Sequence, residues 1–440
     1  MLLCLASLAT SCTEKEKSSL LQFAAELSQD GGLTNSWENS MDCCKWEGIT
    51  CSSDRTVTDV FLASKSLQGH ISASLGNLTG LVCLNLSHNS LYGDLPLELL
   101  SSKSIVILDV SFNLLNGDLQ ELEKSTIRPL QVLNISSNFF TGHFPSPTWE
   151  AMKSLVALNA SNNSFIGPIP TVFCVSAPSF AVLELSYNQF SGRIPAELGN
   201  CSMLTSLNAG HNNLSGTLPD ELFSITSMEH LSLHDNQLEG TLSGISRLKN
   251  LATLNLGGNM FSGNIPSAIG ELKKLMTIHL DHNSMSGELP STLSNCTSLI
   301  TIDFSSNNFS GGLTEVNFSN LPNLKTIDLM LNNFSGTIPE SIYSCTNLTA
   351  LRLSSNKFHG RLSERIGNLR SLLFIGLYNN SLTNIKDALE ILGSFRNLTT
   401  LLIGRNFRDE AMPEVDMTDA FGNLQVFFLD GCSLSGRIPL

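Results

Sequence analysis

A leucine-rich motif recurs along almost the whole chain at intervals of 23 to 26 residues. Its form is L-x-x-L-x-L-x-x-N-x-L-x-G-x-(I/L)-P, and the copy from Leu81 to Pro96 matches at every fixed position. Repeats of this length indicate a stacked array, because no single repeat can bury its own apolar face. The Asn position of the motif, called here the ladder position, can be followed through sixteen residues. These are Lys65, Asn89, Asn113, Asn138, Asn163, Asn188, Asn212, Asn236, Asn259, Asn283, Asn307, Asn332, Asn356, Asn380, Asn406 and Cys432.

Each repeat predicts one short strand, followed by a tight bend and a segment that leads back to the next strand. The segment x-L-x-L-x alternates with period two, so its leucines face a core and successive strands stack in parallel. The ladder Asn is expected to donate its amide to backbone carbonyls of neighbouring turns. The following Leu or Phe, as at Phe190, Phe261 and Phe309, would close the core from the other side. The predicted fold class is an α/β solenoid, a leucine-rich-repeat superhelix with a parallel concave β-sheet and an N-terminal disulfide cap.

The chain divides into three predicted segments. Residues 1–11 are apolar or small and lack a basic leading region, so they are interpreted as a signal peptide or the tail of one. The alternative for this segment is a buried N-terminal stretch. Residues 12–52 are predicted to form a cap, in which a helix over Ser18–Ser28 covers the end of the array. Residues 53–440 would form about sixteen repeats, the last one incomplete.

Composition and motifs argue against several functions. A net charge of −14 disfavours a nucleic-acid partner, and no run of about 18 apolar residues predicts a transmembrane helix. The chain contains no G-x-S-x-G, no H-E-x-x-H, no P-loop and none of the kinase motifs. Acidic residues on the strands are expected to face solvent as isolated groups. We therefore expect no enzyme activity, no cofactor and no metal site.

Four of the eleven cysteines belong to the predicted cap. Adjacent cysteines do not pair easily with each other, so we predict the disulfides Cys12–Cys43 and Cys44–Cys51. A zinc site is the alternative, but it lacks suitable histidines nearby.

Other cysteines lie inside the repeats, where they could remain thiols or form disulfides. Cys201, Cys296 and Cys345 occupy one repeat position, where they are interpreted as buried thiols that replace a core leucine. Cys174 and Cys201 would lie on the convex return of adjacent repeats, so a disulfide between them is an alternative. Cys83 falls on an outward strand position. It is interpreted as a local substitution without function, and a free thiol is the alternative.

Fourteen N-x-S/T sequons occur, and many follow from the ladder chemistry itself. Asn77, Asn317 and Asn397 lie off the ladder and are the better glycosylation predictions, provided that the chain enters the secretory pathway.

Two stretches of outward strand positions stand out as candidate binding surfaces. Five of the nine histidines fall on repeats seven to ten, close to two aspartates and a Gly-Gly pair. This stretch is interpreted as a solvated polar face or as a pH-sensitive patch. Strand spacing alone does not impose metal-ligand geometry there. Its histidines are His211, His230, His234, His279 and His282, and its other members are Asp235, Asp281, Gly257 and Gly258.

The second stretch lies toward the C-terminal end, where outward positions become apolar and cationic. Exposed aromatic residues beside arginines are typical of interface hot spots, and arginine binds sulfate or carboxylate through paired hydrogen bonds. The alternative is packing against further repeats. The predicted partner-binding residues are Arg352, Phe374, Tyr378, Leu402, Arg405 and Phe428, with Met330 and Leu331 beside them.

The repeat and the cap resemble the extracellular region of plant leucine-rich-repeat receptors. The residues that carry the resemblance are Ser191-Gly192-Arg193-Ile194-Pro195 and the cap motif Trp37…Cys43-Cys44-x-Trp46-x-Gly48-x-x-Cys51. The stretches Asn397–Pro413 and Gly431–Leu440 are similar to the phytosulfokine and tyrosine-sulfated glycopeptide receptor group.

This resemblance implies a receptor or receptor-like protein on the extracellular side of the plasma membrane. It would bind a secreted peptide, with tyrosine-sulfated peptides included, and act with a co-receptor kinase ectodomain. Members of the group continue with further repeats, an island loop that holds the peptide, and a membrane span. We therefore expect a truncated chain that alone would be secreted, with Phe427, Leu429 and Leu434 partly exposed. The alternatives are a secreted inhibitor of a cell-wall-degrading enzyme and a non-functional truncated receptor.

Overall fold

The computed structural model describes residues 12–121, 128–145, 147–413 and 421–436. The predicted signal peptide lies outside the described residues, as do the last four residues of the second resemblance stretch. The chain forms two compact units, Met1–Leu214 and Ser215–Leu440. Each unit contains a sheet built from the strands that the L-x-L segments predict, called here repeat strands. The solenoid fold class is confirmed.

In the first unit, a strand of the cap pairs antiparallel with the first repeat strand, and the following strands pair in parallel. These strands are Ile49–Cys51, Val57–Phe61, Cys83–Asn85, Ile107–Asp109, Val132–Asn134, Ala157–Asn159, Val182–Glu184 and Ser206–Asn208.

In the second unit, every repeat strand pairs in parallel with the next one along the chain. These strands are His230–Ser232, Thr253–Asn255, Thr277–His279, Thr301–Asp303, Thr326–Asp328, Ala350–Arg352, Phe374–Gly376, Thr400–Leu402 and Val426–Phe428.

Short second strands and helical segments form the rest of the repeats and of the cap. The second strands are Leu27–Gln29, Gln68–Gly69, Ser90–Gly93, Leu114–Asp118, Phe139–Thr141, Ile166–Gly167, Gln189–Gly192, Asn213–Thr217, Gln237–Gly240, Met260–Gly263, Ser284–Gly287, Asn308–Gly311, Asn333–Gly336, Lys357–Arg361 and Ser381–Thr383. The α-helices are Glu14–Ala25, Leu33–Ser36, Leu97–Leu100, Val172–Ser176 and Ile385–Gly393. The 3-10 helices are Cys43–Lys45, Ala73–Asn77, Pro147–Ala151, Ala196–Asn200, Asp220–Ser224, Ile245–Arg247, Ser267–Glu271, Ser291–Asn295, Phe318–Asn320, Glu340–Ser344 and Glu364–Asn368.

The ladder Asn side chains bond the backbone of neighbouring repeats, as predicted. The Nδ2 group of Asn113 donates to the carbonyls of Leu86 at 3.0 Å and of Val110 and Ser111 at 3.1 Å. Its Oδ1 accepts from the backbone N–H of Leu91 at 3.0 Å, a contact that the repeat did not predict. One buried side chain therefore bonds four backbone groups and links its own repeat to the preceding one.

Aromatic residues close the core behind the repeat strands. Phe190, Phe261 and Phe309 are fully buried, which confirms their predicted role. Phe309 stacks on Phe334 at 6.1 Å between ring centroids, and Phe334 stacks on Phe358 at 6.4 Å. The stacked rings extend the core from one repeat into the next, so its apolar contacts are between neighbouring repeats.

The residue before the ladder position adopts left-handed backbone geometry even where it is not glycine. Tyr187, Leu331 and Arg405 have φ angles of 55°, 55° and 52°. Such angles are unfavourable for residues with a Cβ atom and persist only when the surroundings hold them. Hydrogen bonds from Leu331 N to Ser354 O at 2.9 Å and from Arg405 N to Asp430 O at 2.7 Å hold two of these residues.

The cap helix is shifted from its predicted position. It spans Glu14–Ala25 rather than Ser18–Ser28. The helix begins early because Thr13 and Glu16 form a reciprocal capping box, with Glu16 N donating to Thr13 Oγ1 at 3.2 Å. It ends early because Leu27 pairs antiparallel with Gly69. The Oε1 atom of Glu16 also accepts from Val57 N at 2.9 Å, which ties the helix to the first repeat strand.

Both predicted cap disulfides, Cys12–Cys43 and Cys44–Cys51, are confirmed. A third disulfide joins Cys174 to Cys201, so the interpretation of Cys201 as a free thiol is wrong. Cys174 follows the start of the helix Val172–Ser176, and this helix presents its sulfur to the return of the next repeat.

The remaining described cysteines are thiols. Cys296 and Cys345 are buried, as predicted, and their Sγ atoms donate to the carbonyls of Ile269 at 3.2 Å and Phe318 at 3.3 Å. Cys83 is half-buried on the sheet. Cys432, at the ladder position, is buried, and its Sγ lies 3.6 Å from Asp430 O.

The last repeat strand leaves apolar side chains partly exposed. Phe427 is the register partner of Leu401, but Phe427 is 43% exposed while Leu401 is fully buried. Leu429 and Leu434 are half-buried, so the predicted partial exposure of all three is confirmed. Among the described residues, no helix has the length and apolar character that a bilayer crossing requires.

Loss of one ladder side chain should destabilise the first unit measurably. Asn113→Ala removes four hydrogen bonds to buried backbone groups, and we expect the free energy of unfolding to fall by roughly 3 kcal/mol. Asn116→Ala, at an exposed position in the same repeat, is the matched control and should change it by less than about 0.5 kcal/mol. Denaturant unfolding followed by circular dichroism measures both; equal effects would contradict the ladder's role.

The free cysteines Cys83, Cys296 and Cys345 should differ in their rates of alkylation. Burial raises the pKa of Cys296 and of Cys345 to about 11, so few thiolates form at pH 8. Burial and the nearby Asp59 and Asp109 also raise the pKa of Cys83, but its side chain is more accessible. Iodoacetamide at pH 8 should therefore modify Cys83 before Cys296 and Cys345, as read by peptide mass spectrometry. In 6 M guanidinium the three rates should converge; a folded-state order led by Cys296 would refute this assignment.

Candidate functional site

The clearest site lies on the sheet of the second unit, on the face that points away from the core. A groove of about 500 Å³ opens there across neighbouring repeat strands, and it is called here the C-terminal groove. Its lining is largely apolar, with one arginine and two serines. The lining residues are Met330, Arg352, Ser354, Ser355, Phe374, Tyr378, Leu402 and Phe428.

Strand register explains why the groove forms at this place. Arg352, Gly376, Leu402 and Phe428 are successive register partners on four adjacent strands. Gly376 is the one member of this row without a side chain. A Cβ atom at Gly376 would lie 3.1 Å from the Phe374 ring, so the glycine leaves the space beside that ring open. The groove is thus a gap in a row of side chains, walled by Arg352 on one side and by Leu402 and Phe428 on the other.

Two arginines lie against aromatic rings at the groove. The guanidinium of Arg352 lies 4.6 Å from the centre of the Phe374 ring, and that of Arg405 lies 5.4 Å from the Tyr378 ring. Both distances are within the range of cation–π attraction. Both arginine residues are exposed, so the rings orient their guanidinium groups on an accessible surface.

Arg352 also donates a hydrogen bond to the buried carboxylate of Asp328. Asp328 is 4% exposed, and its Oδ2 accepts from Arg352 Nη1 at 3.3 Å. Burial raises the pKa of Asp328, and the nearby Asp303 adds to this, whereas the N–H of Met330 and the charge of Arg352 act in the opposite direction. The expectation that strand carboxylates are isolated and solvent-facing is wrong for this residue.

Sequence reasoning identified most of the groove. Arg352, Phe374, Tyr378, Leu402 and Phe428 line it together, and the predicted Arg405 contacts it through Tyr378. Phe428 is 53% exposed. The serines Ser354 and Ser355 and the buried Asp328 were missed, because small and acidic outward residues also occur in every other part of the array. Asp328 is the register partner of Arg352 on the adjacent strand, and this pairing is the signal that would have identified it.

Each of the histidines predicted to form a pH-sensitive patch contacts a nearby side chain. In the first unit, His211 stacks on Tyr187, with ring centroids 4.1 Å apart. In the second unit, Nδ1 of His230 lies 3.1 Å from Thr253 Oγ1, and Nδ1 of His279 lies 3.8 Å from Asp303 Oδ2.

His234 and His282 contact the aspartates next to them in the chain. Nδ1 of His234 lies 2.9 Å from Asp235 Oδ2, and Nδ1 of His282 lies 3.0 Å from Asp281 Oδ2. These local pairs account for the position of both rings, and the pH-sensing role remains a prediction.

The three glycosylation predictions fall on exposed residues. Asn77 ends one 3-10 helix and Asn317 precedes another, while Asn397 precedes a repeat strand. The side chain of Asn397 donates to Arg370 O at 3.1 Å. Their positions are accessible, and attachment of a glycan remains a prediction.

Comparison with protein families agrees with the fold. The leucine rich repeat N-terminal domain matches residues 13–52, and the Leucine Rich Repeat family matches residues 179–201, 203–225, 250–272, 274–296 and 323–345. Residues 13–52 thus match a leucine-rich-repeat N-terminal cap, and the five segments match leucine-rich repeats of the solenoid.

Its relatives are plant receptors, which confirms the resemblance drawn from the sequence. Receptor-like protein 3 of Arabidopsis thaliana is 45% identical over 80 residues, which are 18% of this chain and 11% of that protein. Phytosulfokine receptor 1 of the same plant is 43% identical over 72 residues, which are 16% of this chain and 7% of that protein. The similarity thus spans only about a tenth of the length of these relatives.

Solved structures with the same fold include plant receptors bound to peptides. The plant peptide hormone receptor RGFR1 in complex with RGF2 has a TM-score of 0.74 at 29% identity, over 84% of this chain and 62% of that one. The Arabidopsis receptor kinase HAESA, in complex with the peptide hormone IDA and the co-receptor SERK1, has a TM-score of 0.57 at 26% identity. That match covers 97% of this chain and 87% of HAESA.

Replacing Arg352 should reveal how much the burial of the charged Asp328 carboxylate lowers the free energy of unfolding. We expect Arg352→Ala to lower the free energy of unfolding by roughly 1–2 kcal/mol at pH 7, because the carboxylate loses its partner. The pKa of Asp328 is already raised in the folded state, so the charged form is the disfavoured one. The penalty should therefore shrink as the pH falls from 7 toward 4, because protonation of Asp328 in the folded state removes the unpaired buried charge.

The matched control is Arg365→Ala, which removes an exposed ion pair with Glu340 at 3.4 Å. It should change stability by less than about 0.5 kcal/mol at either pH. Thermal unfolding at pH 4 and pH 7 distinguishes the two variants. A pH-independent loss for Arg352→Ala would show that Asp328 is not the group responsible.

Proposed function

We propose that this chain is the extracellular ligand-recognition region of a plant cell-surface receptor or receptor-like protein, and that the C-terminal groove binds a secreted peptide. The observation that carries the proposal is the groove itself, an accessible and largely apolar gap that Arg352 lines, with Arg405 held beside it against the ring of Tyr378. Exposed aromatic and arginine side chains in a concave setting are the groups that dominate peptide and protein binding energies.

The groove chemistry favours a peptide with both an apolar and an anionic group. Phe374, Leu402 and Phe428 offer apolar contact area for the first. Arg352 already shares its charge with Asp328, whereas no carboxylate among the described residues forms an ion pair with Arg405. A sulfate or carboxylate of the peptide would therefore bind Arg405 through paired hydrogen bonds. A sulfated tyrosine combines both groups in one side chain.

The relatives support this class of ligand and a second protein partner. RGFR1 and HAESA are peptide receptors in complexes with their ligands, and the HAESA complex also contains the co-receptor SERK1. By analogy, the second partner of this chain would be a co-receptor kinase ectodomain. The secreted inhibitor of a wall-degrading enzyme remains the competing hypothesis, and similarity to receptor-like and receptor proteins favours the receptor over it.

Peptide binding should depend on the groove side chains. The probe is a panel of synthetic linear peptides, each with sulfated and unsulfated tyrosine, and binding is measured by isothermal titration calorimetry. For the tightest member, Phe374→Ala and Arg405→Ala should each weaken binding at least about tenfold, because each removes a central contact of the site. Arg405→Ala should also reduce the preference for the sulfated form.

The matched controls are Tyr187→Ala, an exposed aromatic of the first unit, and Arg361→Ala, an exposed arginine on a second strand. Both should bind as tightly as the unmodified chain. Equal loss in controls and groove variants would contradict the groove as the site. Inhibition of a cell-wall-degrading glycosidase without any peptide binding would select the competing hypothesis.

A further inference from the structure

Three metal-ligating side chains meet on the sheet of the second unit, away from the C-terminal groove. One ligand atom from each of His279, Asp281 and Asp303 lies within 4.8 Å of the other two. His279 and Asp303 are register partners on adjacent parallel strands, with Nδ1 and Oδ2 separated by 3.8 Å. All three side chains are half-buried, so they are positioned by the sheet while remaining accessible from solution.

A second contact orients each carboxylate. The Oδ1 atom of Asp303 accepts from Ser305 N at 3.0 Å and from Ser305 Oγ at 2.7 Å, which leaves Oδ2 facing His279. The Oδ2 atom of Asp281 lies 3.0 Å from Nδ1 of His282. Partners of this kind hold ligand side chains in orientation at metal sites. The two aspartates therefore each present one oxygen that is free of these contacts.

A glycine makes room for the third ligand. The carboxylate of Asp281 lies over Gly257, and a Cβ atom at that position would lie 2.5 Å from Asp281 Oδ1. Any larger residue at position 257 would therefore displace this carboxylate.

We propose that His279, Asp281 and Asp303 bind a divalent transition cation of the Zn²⁺ type. One imidazole and two carboxylates form a ligand set that such cations accept, with about 2.0–2.2 Å to each ligand atom. Binding would require the three side chains to move their ligand atoms closer together than they now lie, within 4.8 Å of one another. Ca²⁺ is disfavoured because it takes about six to eight oxygen ligands. Three protein ligands leave a position for water or for a group of a bound partner.

The competing explanation is a plain ion-pair cluster, in which protonated His279 pairs with Asp303 and no metal is held. Calorimetry with ZnCl₂ on the chelator-stripped full chain separates the two. We expect a Zn²⁺ site that His279→Gln and Asp303→Asn each weaken at least about tenfold, with much weaker binding of CaCl₂. His359→Gln, an exposed histidine on a second strand, is the matched control and should leave Zn²⁺ affinity unchanged.

A residue-level measurement on the unmodified chain guards against a variant that fails to fold. Diethyl pyrocarbonate modifies accessible imidazoles, and mass spectrometry locates the modified peptides. Zn²⁺ should protect His279 and leave His359 reactive. Equal modification of His279 with and without Zn²⁺ would overturn the proposal, as would unchanged Zn²⁺ affinity in folded His279→Gln. Because the readouts use no peptide, failure of the groove proposal would not affect them.

Discussion

The Asn ladder is the interaction on which the described fold depends. A repeat of two dozen residues has too little apolar surface to fold alone, so its neighbours must supply both core and hydrogen bonds. At a ladder residue such as Asn259, the amide group donates to Leu256 O in its own repeat and to Leu233 O in the preceding one, and the amide oxygen accepts from Leu238 N. That one side chain thus joins the backbones of two adjacent repeats by several hydrogen bonds. Stability and repeat spacing therefore depend on the same residue.

The ladder also determines where functional side chains lie. Because it keeps the repeat strands of a unit in register, each outward position forms a row that runs across the sheet of that unit. His279, Asp303, Asp328 and Arg352 are consecutive members of one row, and Gly376, Leu402 and Phe428 continue it. A single row thus changes from metal-ligating to cationic to apolar chemistry within the second unit. Two ligands of the proposed metal site, His279 and Asp303, and three lining residues of the C-terminal groove, Arg352, Leu402 and Phe428, lie in this one row.

Prediction from the sequence succeeded where the repeat itself carried the information. The two cap disulfides and the buried Phe190 follow from motif position, and five groove residues follow from the outward class of their positions. The errors have local causes. The capping box at Thr13 moved the cap helix toward the N-terminus, and the helix at Val172 brought Cys174 to Cys201. Both depend on a few residues outside the repeat pattern.

The sequence by itself determined the fold class, the division of residues into core and outward positions, and the rows in which outward residues stand. A strict repeat contains this information, because one register applies to all its copies. Only the tertiary structure decided the depth of each outward side chain and its partners across strands. Asp328 is buried under Arg352 while Asp235 is exposed, although both are outward aspartates. The reason is that burial and pairing depend on the side chains of adjacent strands, about two dozen residues away, which no local pattern records.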